Sequence, residues 1–135
     1  MAQLYFLSVA SLLFAGLLLA AEFLSGRIAA LEPLVDLSEN RGVAIAAGVV
    51  ALVIGLVKLF VRAPFDAVVF AGDLLPALVG ISTGLLLVFS RVSGSGTVSK
   101  ANDVASSVMN YRAAIGIATM AVGLLHFLFP ASVIL

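Results

Sequence analysis

Four residues could do chemistry together: Asp73, His126, Lys58 and Tyr5. Carboxylate, imidazole, ammonium and phenol hold and pass protons. Within an apolar chain such groups mark a proton or ion relay, or a binding site for a small polar solute. Their spacing suggests that they meet. The series Asp73, Pro76, Gly80, Gly84 advances by three and four residues and so keeps one face of a helix. Gly116, Thr119, Gly123 and His126 do the same, as do Gly48, Ala51, Gly55 and Lys58; Tyr5, Ser8 and Leu12 run toward Gly16. Each series leads from small residues to a polar one, so the four polar groups are expected to converge at one end of a helical assembly.

An ionised Asp73 turned toward hydrocarbon would cost on the order of 2.5–3.5 kcal/mol on insertion scales, so it should be paired, with Lys58 or His126 as its partner. The plainer reading of the cluster is a polar clasp that fixes helix register, with Lys58 reaching to the interface. The low charge count and the lack of a second buried carboxylate favour the clasp over a relay. Pro76 removes a helix hydrogen bond beside Asp73 and is read as an ordinary packing kink; Asp66, next to Pro64, reads as a turn or N-cap residue.

Other chemistry has little to stand on. The chain has one His and no Cys, which leaves no set of metal ligands, and no cofactor is expected. Its one Gly-x-Ser-x-Gly string, Gly80-Ile81-Ser82-Thr83-Gly84, lies within an apolar run and not at a strand-to-helix elbow, and there is no His-Glu-x-x-His and no phosphate-binding glycine loop, so the chain is not expected to be an enzyme. Net charge is zero and the 7 Lys and Arg are scattered, which sets nucleic acid aside as a partner.

The elements that must position the cluster follow from hydropathy. Hydrophobic residues make up 63% of the 135 and charged ones 10%, with a mean hydropathy of +1.27. No water-soluble fold of this size has enough interior to hide that much apolar surface, whereas a bilayer solvates it. Four apolar runs, Leu4–Ala21, Gly42–Val61, Val68–Phe89 and Ala113 to about Ile134, approach the ~20 residues a helix needs to cross ~30 Å of hydrocarbon. The fold class expected is therefore an all-α integral membrane protein, a four-helix transmembrane bundle. The first run is read as a retained span, because no Lys or Arg precedes it and Leu19-Ala20-Ala21-Glu22 lacks a small-x-small cleavage site.

Residues 22–41 and 90–112 form long polar links, and 62–67 a tight turn. Arg27, Arg41, Arg91, Lys100 and Arg112 lie in the long links, against Lys58 and Arg62 on the other side, so the links are expected in the cytoplasm and both termini outside. In the first link Ile28, Leu31 and Val35 recur at helical spacing, suggesting an amphipathic surface segment that Pro33 would break or kink. In the second, Ser93-Gly94-Ser95-Gly96 is flexible, and Ser99 could cap a helix running through Val104, Val108 and Tyr111 straight into the fourth span.

The chain also compares with itself. Gly16-Leu17-Leu18-Leu19 matches Gly84-Leu85-Leu86-Leu87, and Ser25-Gly26 matches Ser93-Gly94, both at an offset of 68 (84 minus 16; 93 minus 25). The order of span, long link, span also recurs. A duplicated helical hairpin follows, with halves 1–67 and 68–135 forming one membrane domain around an axis along the membrane normal. At this offset His126 is the counterpart of Lys58, and Asp73 that of Tyr5. Gly16, Gly48, Gly55, Gly80, Gly84, Gly116 and Gly123 form small-residue stripes expected to face other helices, within the bundle or in an oligomer. The function expected is that of a non-enzymatic membrane subunit or assembly component in the lipid bilayer, partnered by a protein or by its own copies. The alternative is a small oligomeric transporter or channel for protons, ions or a polar solute, using Asp73 and His126.

Overall fold

The computed structural model describes residues 2–60, 74–92, 107–108 and 110–129. Among these residues the chain is helical and contains no strand. Helix α1 is Ala2–Ser25; a short 3-10 turn, Ala29–Leu31, leads into α2, Glu32–Glu39; α3 is Arg41–Phe60, α4 is Leu74–Val92 and α5 is Arg112–Leu128. Helices α1, α3 and α4 are long and apolar enough to cross a membrane, and α5 is an apolar helix of 17 residues.

Local chemistry sets the boundaries. Helix α1 ends where Gly26 N–H turns back to the Glu22 carbonyl at 3.4 Å and Arg27 N–H to that of Leu24 at 3.0 Å, a glycine-assisted stop. Helix α3 begins where the Asn40 side-chain oxygen accepts from the N–H groups of Gly42 at 3.0 Å and Val43 at 3.3 Å, filling donors that a helix start leaves open. Pro33 does not interrupt a helix, as its position among Ile28, Leu31 and Val35 had suggested. The break falls at Leu31, and Pro33 stands in the first turn of α2, where a missing N–H costs nothing. The second link also differs from expectation. Ser107 and Val108 are helical, but a turn at Asn110 and Tyr111 separates them from α5, so no continuous helix enters the fourth apolar run. Ser99 and Val104 lie outside the described residues.

The most extensive packing is between α1 and α5 and between α3 and α4; α1 against α3 and α4 against α5 make smaller contacts, and α2 lies across α1 and α3. Small residues make the close pairings possible. A Cβ placed on Gly48 would lie 2.9 Å from the Gly84 carbonyl oxygen, and one on Gly55 2.9 Å from that of Ala77. On the α1–α5 side a Cβ on Gly123 would lie 3.2 Å from the Leu12 Cβ. These backbones are near enough that side chains would hold them apart. Gly80 is looser, its Cβ position 3.4 Å from the Ala51 carbonyl oxygen.

The interior consists of Ala15, Leu18, Leu19, Ala47, Ala51 and Leu87, with Leu37, Val43 and Ile115 packed against it. Large apolar side chains face outward instead, among them Phe6, Val50, Leu78, Leu85 and Leu124. Alanine and leucine share the interior, while many large apolar side chains remain on the surface, a larger apolar exterior than a water-soluble domain presents.

Candidate functional site

Three of the four residues singled out by spacing come together. Tyr5 lies in the first turns of α1, Lys58 in the last turn of α3 and His126 in the last turn of α5. Because α1 runs opposite to α3 and α5, those positions share one end of the molecule. The Lys58 ammonium nitrogen is 3.2 Å from His126 Nε2. The Tyr5 hydroxyl donates to the His126 carbonyl at 2.5 Å and reaches that of Phe127 at 3.2 Å, capping carbonyls that the end of α5 leaves open. The Tyr5 and His126 rings lie 5.1 Å apart at 49°, and Lys58 Nζ stands 5.9 Å from the Tyr5 ring centre, within cation–π range. Tyr5, Lys58 and His126 each make further interactions besides these.

His126 is 3% exposed, so its ring exchanges hydrogen bonds with protein groups rather than with bulk water. At 3.2 Å, one of the two nitrogens must bring the hydrogen and the other the lone pair. The pair therefore shares one hydrogen bond, a geometry that can serve as a clasp or as a step in proton movement. Asp73 lies outside the described residues, as do Pro64 and Asp66. Pro76 is buried near the start of α4. Below the cluster, Ser8, Ser11, Lys58, Pro76 and Gly80 line a cavity of about 10 Å³, room for about one water.

Two polar groupings were not singled out by spacing. At mid-length the Thr83 and Thr119 hydroxyls are 2.8 Å apart, both at most 1% exposed. Thr119 donates to the Ile115 carbonyl at 2.8 Å, so it receives its hydrogen bond from Thr83. At the opposite end, Glu22 of α1 pairs with Arg112 of α5, and Arg91 of α4 donates to the Ser38 carbonyl at the end of α2. Each of these charges sits at a helix end next to a long link, a signal present in the sequence but shared with any solvated helix terminus.

A family model that carries no functional description matches residues 1–126, a span that includes Tyr5, Lys58, Asp73 and His126. The chain belongs to that family. No curated protein matches the chain, and neither does any solved structure. The family assignment therefore brings no reaction, ligand or partner to the site.

Proposed function

We propose that the chain is a polytopic membrane protein, a four-helix transmembrane bundle made by duplication of a helical hairpin, which works as a non-enzymatic membrane subunit. The observation that carries the functional part is the closed interior. Glycine and alanine stripes meet backbone to backbone, and among the described residues one cavity near each end has a volume of about 10 Å³, too small for a substrate. What the molecule offers to others is its surface: apolar outward faces for lipid and two links that carry its charge. Membrane insertion is supported by three helices of spanning length and by the large apolar side chains exposed along them.

The duplication is supported by which residues touch. Under an offset of 68, the facing pair Gly16 and Gly116 becomes Gly84 and Gly48, which also face each other. Gly123 against Leu13 becomes Gly55 against Ile81, again a contact. A residue and its own counterpart can meet only on a twofold axis. Lys58 and His126 are such a pair, separated by 68 residues and 3.2 Å apart. Ala15 with Thr83, and Ala51 with Thr119, are counterparts too, and all four are buried. The axis of the proposed bundle thus runs through the polar clasp and the central layer.

The subunit reading is tested by photo-crosslinking in native membranes from probes at Arg27, Asp36 and Tyr111, on the link side. Capture of a defined protein or of a second copy supports it; no adduct from any of the three positions would sink it. The Lys58–His126 contact favours a second reading, a small transport unit that passes protons or ions. In proteoliposomes that reading requires specific flux that disappears in His126→Ala and Asp73→Asn; a closed interior predicts no flux above empty vesicles.

A further inference from the structure

The cavity of about 10 Å³ below the Lys58–His126 pair lies between α1, α3 and α4, and its polar side chains are Ser8, Ser11 and Lys58. Ser8 is the unusual member. Within these helices a hydroxyl commonly turns back on its own backbone: Ser25, Ser38, Ser82 and Ser90 each donate to a carbonyl three or four residues earlier. Thr83 and Thr119 bond each other. Ser8 is 2% exposed, yet its hydroxyl has no hydrogen-bond partner among the described residues. Nor is that hydroxyl sealed in. Among the described residues Arg91 Nε is the one buried side-chain atom that lacks both a partner and accessible space. The Ser8 oxygen lacks only the partner, so it opens onto space, and the space beside Ser8 is this cavity. A buried hydroxyl left unmet is unfavourable, and native structures fill such a need with protein or ordered water.

We propose that this cavity is a binding site for one water molecule, held by the Ser8 hydroxyl with Ser11 and Lys58 as its other side-chain partners. The volume admits one particle of that size and no larger solute. A water accepts from an ammonium and donates to a hydroxyl oxygen, so it satisfies both kinds of group at once. A metal cation is disfavoured, because the lining holds Lys58 and no carboxylate. An anion would depend on Lys58 for its charge, and Lys58 is already engaged by His126 Nε2 and by further interactions. The water extends the polar clasp inward, from His126 to Lys58, from Lys58 to water and from water to Ser8. It thereby ties the beginning of α1 to the end of α3 through hydrogen bonds as well as apolar contact. The chain of polar groups stops there, since the rest of the lining is Leu12, Ala51, Ile54, Gly55, Pro76 and Gly80. The site stands on the packing of α1, α3 and α4, and not on the membrane or subunit reading.

The test uses the full chain, isotope-labelled and purified in detergent micelles, with magnetisation transfer from water to backbone amides read by NMR. Gly55 and Gly80, which line the cavity, should show cross-peaks to water with the sign of a long-lived contact. Gly48 and Gly84, which face each other's backbone, should show none. Ser8→Val removes the hydroxyl and fills space, so it should abolish the cross-peaks; Ser82→Ala, at a hydroxyl already satisfied by Leu78, should leave them unchanged. Thermal unfolding gives an independent sign. If water meets the Ser8 hydroxyl, Ser8→Ala loses a hydrogen bond and its unfolding equilibrium constant rises roughly fivefold. If the hydroxyl is unmet, the same substitution removes a penalty and raises the unfolding temperature. Wild-type protein without cross-peaks at Gly55 and Gly80, cross-peaks that persist in Ser8→Val with its helix content intact, or stabilisation by Ser8→Ala each overturns the proposal. Saturable shifts of the same amides on titration with sodium chloride would assign an ion in place of water and overturn it as well.

Discussion

Gly16 on α1 and Gly116 on α5 each occupy space that a side chain on the other would need. A Cβ on Gly16 would lie 2.7 Å from the Gly116 carbonyl oxygen, and one on Gly116 2.6 Å from that of Gly16. Gly84 stands in the same relation to Gly48, with its Cβ position 2.5 Å from the Gly48 carbonyl oxygen. The obstructing atoms are backbone, which cannot swing aside, so the helices would have to separate.

Gly116→Ala and Gly84→Ala are therefore expected to lower stability by about 1–3 kcal/mol each. Gly80→Ala should be neutral or slightly stabilising, because its neighbours stand at ordinary contact distance and alanine is the better helix former. Thermal unfolding in detergent micelles measures all three. Equal losses at Gly80 and Gly84 would contradict the close-packing account.

The two central threonines are not equivalent. Thr119 donates to Ile115 and accepts from Thr83, so removing Thr119 leaves a buried donor without its acceptor, whereas removing Thr83 leaves Thr119 still satisfied. Thr119→Val should cost more than Thr83→Val, by about 1 kcal/mol. A double-mutant cycle checks this, and a larger cost for Thr83→Val would reverse the assigned donor.

Tyr5→Phe keeps the ring against His126 and removes the hydroxyl that ties α1 to the last turn of α5. The expected loss is about 1 kcal/mol. Amide hydrogen exchange should rise first at the end of α5, near Phe127 and Leu128. Exchange that rises uniformly along α5 would show that the hydroxyl does not hold that end in particular.

Glu22 and Arg112 are both partly exposed, 51% and 32% at their side chains. Such a pair contributes less than about 1 kcal/mol and is screened by salt. Glu22→Gln should thus change the unfolding temperature slightly at low ionic strength and not at all at high. A large, salt-independent loss would mean that the pair is buried in the assembled protein.

Much of this was legible in residue order because apolar length and small-residue spacing are simple signals. Apolar length located α1, α3 and α4, and spacing by three and four put Gly16, Gly48, Gly84 and Gly116 on facing stripes. The same spacing carried Lys58, His126 and Tyr5 to one end, where the structure joins them. The links were harder to read. Pro33 can break a helix or begin one, and only the chain's arrival direction at Leu31 decides between them. The turn at Asn110 and Tyr111 carries neither Gly nor Pro to announce it. Arg91 and Ser38 meet across 53 residues through the docking of α2, a tertiary event that no local pattern encodes.

The most direct test of a membrane-spanning bundle with more Lys and Arg at one end than at the other is thiol labelling. The chain has no Cys, so Arg27→Cys and Phe129→Cys report each end against a clean background. With a membrane-impermeant maleimide on intact cells, Phe129→Cys should label from outside, and Arg27→Cys should label only after the membrane is opened. Labelling of both positions from the same side would contradict the spanning bundle, and the reversed pattern would keep the bundle but invert its orientation.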